Sequence, residues 1–390
     1  MKTKSLGPHI LFFWLIITFM GPADFACGAE LFQVGRSVRA LGMGNAYAPV
    51  VRDADSLFYN PAGLAQVKGI NWTILDLFAE ANGIEVFKKL QDVQGSETFS
   101  KTVKNLYGER VGVAVGGKSA VTLPYFGLAI YDHANANLDV NNPAYPNMDI
   151  AVINDLGVAL GFGVPISPMV HVGVALHRRD RTGARAQFGP SFIASLKPDA
   201  ISKSILKSGI GYSADIGMNI KIPVPGPFSP IGSLVWRNVE ITKFKAKRNK
   251  EAPPSDEDDM AVGLALGIDS GLVSITPALE FKHLNRSEEQ FSKKIHFGVE
   301  LGLLMADIRA GFYQGYYTLG AGLNFNFLRM DIATYGVELG EYTGQRESRR
   351  YVAQLTLELG FDMGLHFLGS GDGGRGRGSS WARKRLKQRR

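Results

Sequence analysis

The chain has 390 residues, 45% hydrophobic and 10% aromatic, with 46 glycines and one cysteine. A lone cysteine excludes an intramolecular disulfide framework and Cys-based metal sites. With 23 phenylalanines and 13 tyrosines the chain is not a disordered polymer. The net charge of +7 resides in the tail, where basic residues from Arg375 to Arg390 face Asp372 alone, so the body is close to neutral.

Lys2 and Lys4 precede an apolar run, Ile10 to Met20, of secretory length. Cys27-Gly28-Ala29 offers a cleavage site, so residues 1–29 read as a signal peptide and the mature chain is expected from Glu30. The run is too short to span a bilayer comfortably. Cys27 follows a small residue as a lipoprotein acceptor would, but the charged Asp24 stands where that motif wants an apolar residue.

Residues 30–69 do not alternate. Arg36, Arg39, Gly42 and Gly44 lie in a Gly-rich stretch, followed by the acidic pair Asp53 and Asp55 and by Asn60-Pro61-Ala62-Gly63. Pro61 pushes Asn60 out of the helical region, and Gly63 permits close packing. The charged groups here need partners wherever they are enclosed.

From residue 70 the chain becomes a succession of alternating segments. Leu156, Val158, Leu160, Phe162 and Val164 face one side, and Asp155, Gly157, Ala159, Gly161 and Gly163 the other. Val170 to Leu176 alternates with His171 and His177, and the run around Ile216 with Asp215. The run around Val299 alternates with His296 and Glu300. The last alternation, Tyr351 to Phe367, sets Glu358 and Asp362 on its polar face and ends on an aromatic residue. One greasy face and one polar, glycine-rich face is the pattern of a transmembrane barrel, with lipid outside and a polar lumen inside. The expected strands are 70–80, 109–116, 120–132, 148–164, 169–181, 208–222, 230–243, 259–268, 272–284, 294–303, 307–314, 318–327, 330–337 and 350–367. Short and long connections alternate between them, with an exception at Gly315 to Tyr317. The fold class is therefore all-β, a transmembrane antiparallel barrel of about fourteen strands spanning 70–367. Residues 368–390 read as a basic, solvated tail.

The stretches Ala40-Leu41-Gly42-Met43-Gly44-Asn45-Ala46-Tyr47-Ala48 and Asp53 to Ala65 resemble the N-terminal region of the FadL-type hydrophobic-compound channels. They equally resemble the related PorV-like and TraF-like barrels. The closing region, Glu338 to Tyr351, is more similar to the PorV-like members than to true fatty-acid channels. The resemblance implies a fourteen-stranded barrel with residues 30–69 folded inside as a plug, in the bacterial outer membrane. It implies passive transport or capture of hydrophobic small molecules, with a non-transporting scaffold for a secretion or surface assembly as the alternative. Outer-membrane lipid and a hydrophobic ligand or a secretion-system partner are the expected partners. Phe367 resembles the C-terminal insertion signal of such barrels, which adds the barrel-assembly machinery.

Other chemistries find little support. Asp155, His171, His177, Asp215, His296, Glu300, Glu358 and Asp362 are candidate lumen-lining residues, without the spacing of a nucleophile elbow or a metal cluster. No enzyme activity, cofactor or metal is expected. The basic tail has one aromatic residue, Trp381, and follows a secreted barrel, so no nucleic-acid partner is expected. Phe192, Ile193, Leu196, Ile201, Ile205 and Leu206 suit either an apolar catch site or the buried face of a short capping helix. Ile84, Val86, Phe87 and Leu90 read the same way. Deleting residues 370–390 should leave a heat-modifiable, membrane-inserted barrel, whereas Phe367→Asp should impair assembly; gel mobility before and after boiling reads both.

Overall fold

The computed structural model describes residues 35–82, 110–141, 147–189, 206–247, 251–325, 327–340 and 342–361. Asp362, Phe367, residues 1–34, the 84–90 stretch, residues 192–205 and the tail lie outside them.

Fifteen strands follow a short helical segment. They are β1 (Ile70–Ala81), β2 (Arg110–Leu123), β3 (Phe126–Asn141), β4 (Asn147–Pro165), β5 (Val170–Phe188), β6 (Lys207–Lys221), β7 (Phe228–Arg237) and β8 (Phe244–Ala246). After them come β9 (Asp259–Asp269), β10 (Ser274–Phe281), β11 (Ile295–Gly302), β12 (Ala306–Tyr313), β13 (Tyr316–Asn324), β14 (Leu328–Glu338) and β15 (Glu347–Phe361). All but the three-residue β8 go round a closed barrel of fourteen antiparallel strands. β1 pairs with β15, β7 with β9, and β5 with β6, so no edge is left open.

Alternation decides what faces lipid. Ile130, Leu156, Leu176, Leu264, Ile308 and Ile332 are all at least half exposed, while their sequence neighbours are turned inward. An exposed belt this broad is excluded from a water-soluble surface and is what a bilayer solvates. Trp72, Phe162, Phe228, Phe325, Phe327 and Phe361 ring the short-turn end, and Phe312, Tyr317 and Tyr351 the other. The protein is therefore an outer-membrane-type barrel, whose short turns face the periplasm in such folds.

Several boundaries differ from the sequence reading, β3 among them, which runs to Asn141 rather than to 132. A break expected at 117–119 is absent, and β2 runs on to Leu123. The polar Gly-Gly-Lys-Ser run imitates a turn, yet Lys118 is buried and faces the lumen. A bulge in β1 opposite it turns both Ile74 and Leu75 outward, so that Thr73 and Asp76 both point in. The expected strand 230–243 ends at Arg237. The expected loop from Thr182 begins only after Phe188, because β4 and β5 pair all the way up.

The core is the lumen. Residues 36–67 lie inside the wall as two short helices, α1 (Val38–Gly42) and α2 (Ser56–Tyr59), and a 3₁₀ turn, Pro61–Gln66. Asn60 caps that turn, its side-chain oxygen accepting the Ala62 amide at 3.0 Å with Pro61 at the first position.

Candidate functional site

The inner segment is held by charge to the wall on several sides. The Arg39 guanidinium donates to both carboxylate oxygens of Glu300, at 2.8 and 2.7 Å. Glu300 also accepts from Arg309 at 2.7 Å, and Arg309 in turn reaches Asp331 at 2.6 Å and Asp307 at 3.2 Å. Arg36 donates to Glu80 at 3.2 Å and to the Tyr335 hydroxyl at 2.8 Å, while Arg350 reaches Glu80 at 3.0 Å. Lys118 pairs with Asp55 and, at 3.3 Å, with Asp76. Each is a buried ion pair, or in the case of Arg39 a partly buried one, given extra hydrogen bonds, the condition under which burial is tolerated.

Asp53 is placed differently. Its carboxylate accepts the Asp55 amide at 3.0 Å at the start of α2. Burial, reinforced by the Asp55 charge, pushes the Asp53 carboxyl above the usual range.

Backbone groups of the segment are also satisfied by wall side chains. Glu280 accepts the amides of Tyr47 and Ala48 at 2.8 and 3.0 Å. Thr318 accepts the Gly44 amide and donates to the Gly42 carbonyl, both at 3.0 Å. His296 Nδ1 lies 3.0 Å from the Gly44 carbonyl oxygen. Within the segment, the Asn60 side-chain Nδ2 donates to the Ala48 carbonyl at 3.0 Å and, across to the wall, to Asn219 Oδ1 at 2.8 Å. Buried amides and carbonyls without such partners would be costly.

Wall glycines let the two backbones touch. A side chain at Gly298 or Gly311 would run into the backbone of Met43 and Gly44, and one at Gly173 into that of Pro61. A side chain at Gly63 would meet the Val51 carbonyl. Gly44 itself, at φ 62°, is pressed against the carbonyl oxygens of Phe297 and Phe312. No other residue supplies both that dihedral and that clearance.

Above the segment, towards the long-loop end, is a chamber of about 70 Å³ lined by His177, Asp215, Lys282 and His296 with Tyr131 and Arg179. That is less than half the roughly 150 Å³ that holds a benzene ring. His177 Nε2 is 3.1 Å from Asp215, and Asp215 accepts the Asn238 amide at 2.7 Å. Burial pulls the Lys282 ammonium down to about 8, against the opposing pull of Glu280.

The side of α1 that faces β12 to β15 carries an apolar cluster beside the Arg36–Glu80–Tyr335 group. Val38 and Leu41 of α1 pack with Tyr313, Ala333, Tyr335, Val337, Leu339 and Val352. Outside the same strands lies a groove of about 840 Å³, lined by Ala79, Val115, Leu319, Ala321, Ile332, Tyr351 and Ala353. The alanines lie in one cross-strand row, Ala79–Ala353–Ile332–Ala321, with Leu77, Leu355, Met330 and Leu323 on the side towards the short turns. Gly320 lines the groove and also abuts Gly42, so there the wall is only backbone thick.

The structure therefore places Asp155, His171, His177, Asp215, His296 and Glu300 on the buried lumen face. Glu358 is half-buried on the same face of β15 as Gln354 and Thr356. Glu80, Asp76, Lys118, Arg179, Arg181, Arg309 and Arg350 were not singled out in the sequence. Their inward register was the available signal, since Arg179 and Arg181 continue the His171–His177 face and Arg309 shares that of Asp307 and Gly311. Among the described residues no group of acidic, His or Cys side chains could hold a metal.

No family model matches the chain, and no curated protein matches it. Solved structures are similar to the chain only at low identity. The CymD monoaromatic hydrocarbon channel is 12% identical, with a TM-score of 0.46 over 85% of this chain and 99% of that one. The Ralstonia pickettii toluene transporter TbuX is 10% identical, with a TM-score of 0.47 over 84% and 98%. The Pseudomonas putida toluene transporter TodX is 9% identical, with a TM-score of 0.46 over 85% and 99%.

Proposed function

We propose that the protein is a plug-gated outer-membrane channel that captures hydrophobic small molecules and passes them by diffusion. The observation that carries this reading is the pairing of two apolar surfaces back to back across one stretch of wall. Outside is the alanine-floored groove open to the lipid, and inside is the apolar cluster around Val38 and Leu41. A molecule that partitions into the outer leaflet gains apolar contact in such a groove, at about 25 cal/mol per Å² buried. The resemblance of residues 40–65 to the FadL-type channels supports the same class.

The wall is hydrogen-bonded between all neighbouring strands, and the inner segment packs against β3 to β6 and β12 to β15. Passage therefore requires the segment to shift, which gives it the role of a plug. The charged chamber suits water or a polar group, so the apolar side of α1 is the route for a hydrocarbon.

The test is uptake by cells whose outer membrane is intact and which lack other hydrophobic channels. Expression should raise the initial rate of toluene uptake severalfold, and a long-chain fatty acid run in parallel reports the size class. Ala321→Trp and Ala353→Trp fill the groove from the lipid side and should return the rate towards background. Unchanged uptake with the barrel correctly inserted overturns the channel reading and leaves a scaffold.

A further inference from the structure

Between β7 and β9 the chain leaves the wall. Asn238, Glu240 and Ile241 take φ values of 51°, 65° and 62°. A β-branched residue such as Ile241 enters that region only when its surroundings compel it. Two arms follow, 238–247 and 251–258, joined by an antiparallel bridge between Thr242 and Asp256. The first arm carries β8 along Gly209–Gly211 of β6, above the height at which β6 pairs with β7.

Lys247 pairs with Asp180, Glu251 with Lys207 and Glu257 with Arg286 at 3.3 Å near the rim, and one carboxylate joins both arms to the lumen wall. Asp256 accepts from Arg181 twice, at 2.7 Å each, and from Arg179. Arg181 also donates to the Pro254 carbonyl at 2.8 Å, and Arg179 to Asn238 and Thr242 at 3.0 and 2.8 Å. The Phe244 ring lies 4.5 Å from the Arg181 guanidinium. Below, Arg181 keeps a second partner, Asp155, at 2.7 and 2.6 Å. Thr242, Phe244 and Pro253 of the arms are buried, whereas Lys245, Ala246, Lys247, Glu251 and Ala252 are exposed. A segment with few apolar contacts and a concentrated polar anchor opens at low cost once the anchor is lost.

We propose that the two arms are an extracellular lid over the chamber, latched by the Asp256 carboxylate on Arg179 and Arg181. The strained turn at 238–241 is the hinge. Without Asp256, Arg181 still has Asp155, so the wall below stays paired while the lid lifts. The lid rests on the channel reading for what it admits, whereas its test reads the lid alone.

The test places a thiol on the chamber wall, Ser213→Cys, in the full chain with Cys27→Ser, and times its reaction with a membrane-impermeant maleimide added outside. Asp256→Asn should raise that rate by about tenfold or more, in line with losing a charged hydrogen-bond anchor. A control thiol deeper on β7, Ser233→Cys, should keep its rate. Equal rates at residue 213 in assembled barrels overturn the lid, as does equal acceleration at both thiols, which signals general loosening. Should Asp256→Asn fail to assemble, Phe244→Ala removes the ring beneath the guanidiniums without touching a charge. It should also speed labelling at 213 alone, and no change there counts against the lid. Uptake remains a separate measurement, so either reading can fall without the other.

Discussion

Glu300→Ala is expected to destabilise the barrel by about 3 kcal/mol and to loosen the inner segment. Glu300 is shared by Arg39 from inside and Arg309 from the wall. Arg309 keeps Asp307 and Asp331, but Arg39 loses the one carboxylate it hydrogen-bonds among the described residues, retaining the Tyr47 hydroxyl at 3.3 Å and the more distant charge of Asp53. A guanidinium left without its counter-charge costs more than the pair itself contributes, because its desolvation is no longer offset. Arg39 keeps about a quarter of its side chain exposed, which places the effect at the lower end of the usual range for buried pairs. Glu300→Gln, which retains hydrogen bonds, should lose less. The urea midpoint of the gel-mobility shift reads stability, and trypsin cleavage at Arg36 or Arg39 reads release of the segment. A midpoint equal to that of the parent protein would mean that Glu300 is not a fastening point.

Gly298→Val should have an effect as large through a different cause. Its side chain would occupy the space of the Met43 carbonyl group and Cα, and neither belongs to a flexible side chain that can turn aside. Overpacking against flexible groups costs about 1–3 kcal/mol, and against backbone the upper end or beyond is expected. The outward-facing Gly232, whose nearest neighbour across the added atom is Leu264 at 3.6 Å, is the matched control. Gly232→Val should assemble and melt normally, while Gly298→Val should either expel the segment or fail to fold. Similar melting of the two would show that close backbone contact is not what seats the segment.

Much of the fold was legible because lipid and lumen impose opposite demands on alternate residues. Most strands fell within a few residues of their sequence positions, and the odd short connection near Gly315 was visible as well. Errors arose where a polar run on the inward face looked like a turn, as at Lys118, or where a strand ended without a break in composition, as at Arg237. The site was legible only in part. Arg36, Arg39 and Asp55 announced themselves as charges that would need partners, but register alone could not say which wall residue answers each. Glu300 and Glu80 each serve two arginines from distant parts of the chain, and nothing local in the sequence marks them for it. Asp256 lies in a charged stretch that reads as solvated loop, and its burial follows from Arg179 and Arg181 on β5.

The glycine contacts carry a consequence for how the molecule is made. The inner segment precedes every strand in the chain, and it touches both halves of the wall. Its 3₁₀ turn lies against β4, β5 and β6, and α1 against β12 to β15. The seam between β15 and β1, joining the last strand to the first, runs beside α1. Each wall residue that loses its side chain to make room is matched to a surface synthesised before it. A closed wall offers no width through which that surface could later be fed, since its fit is backbone on backbone. Contacts of this kind favour an order of assembly in which the earliest part of the fold serves as a mandrel and the seam is sewn over it, and protease protection of Arg36 and Arg39 before heat-modifiability is acquired is the expected result.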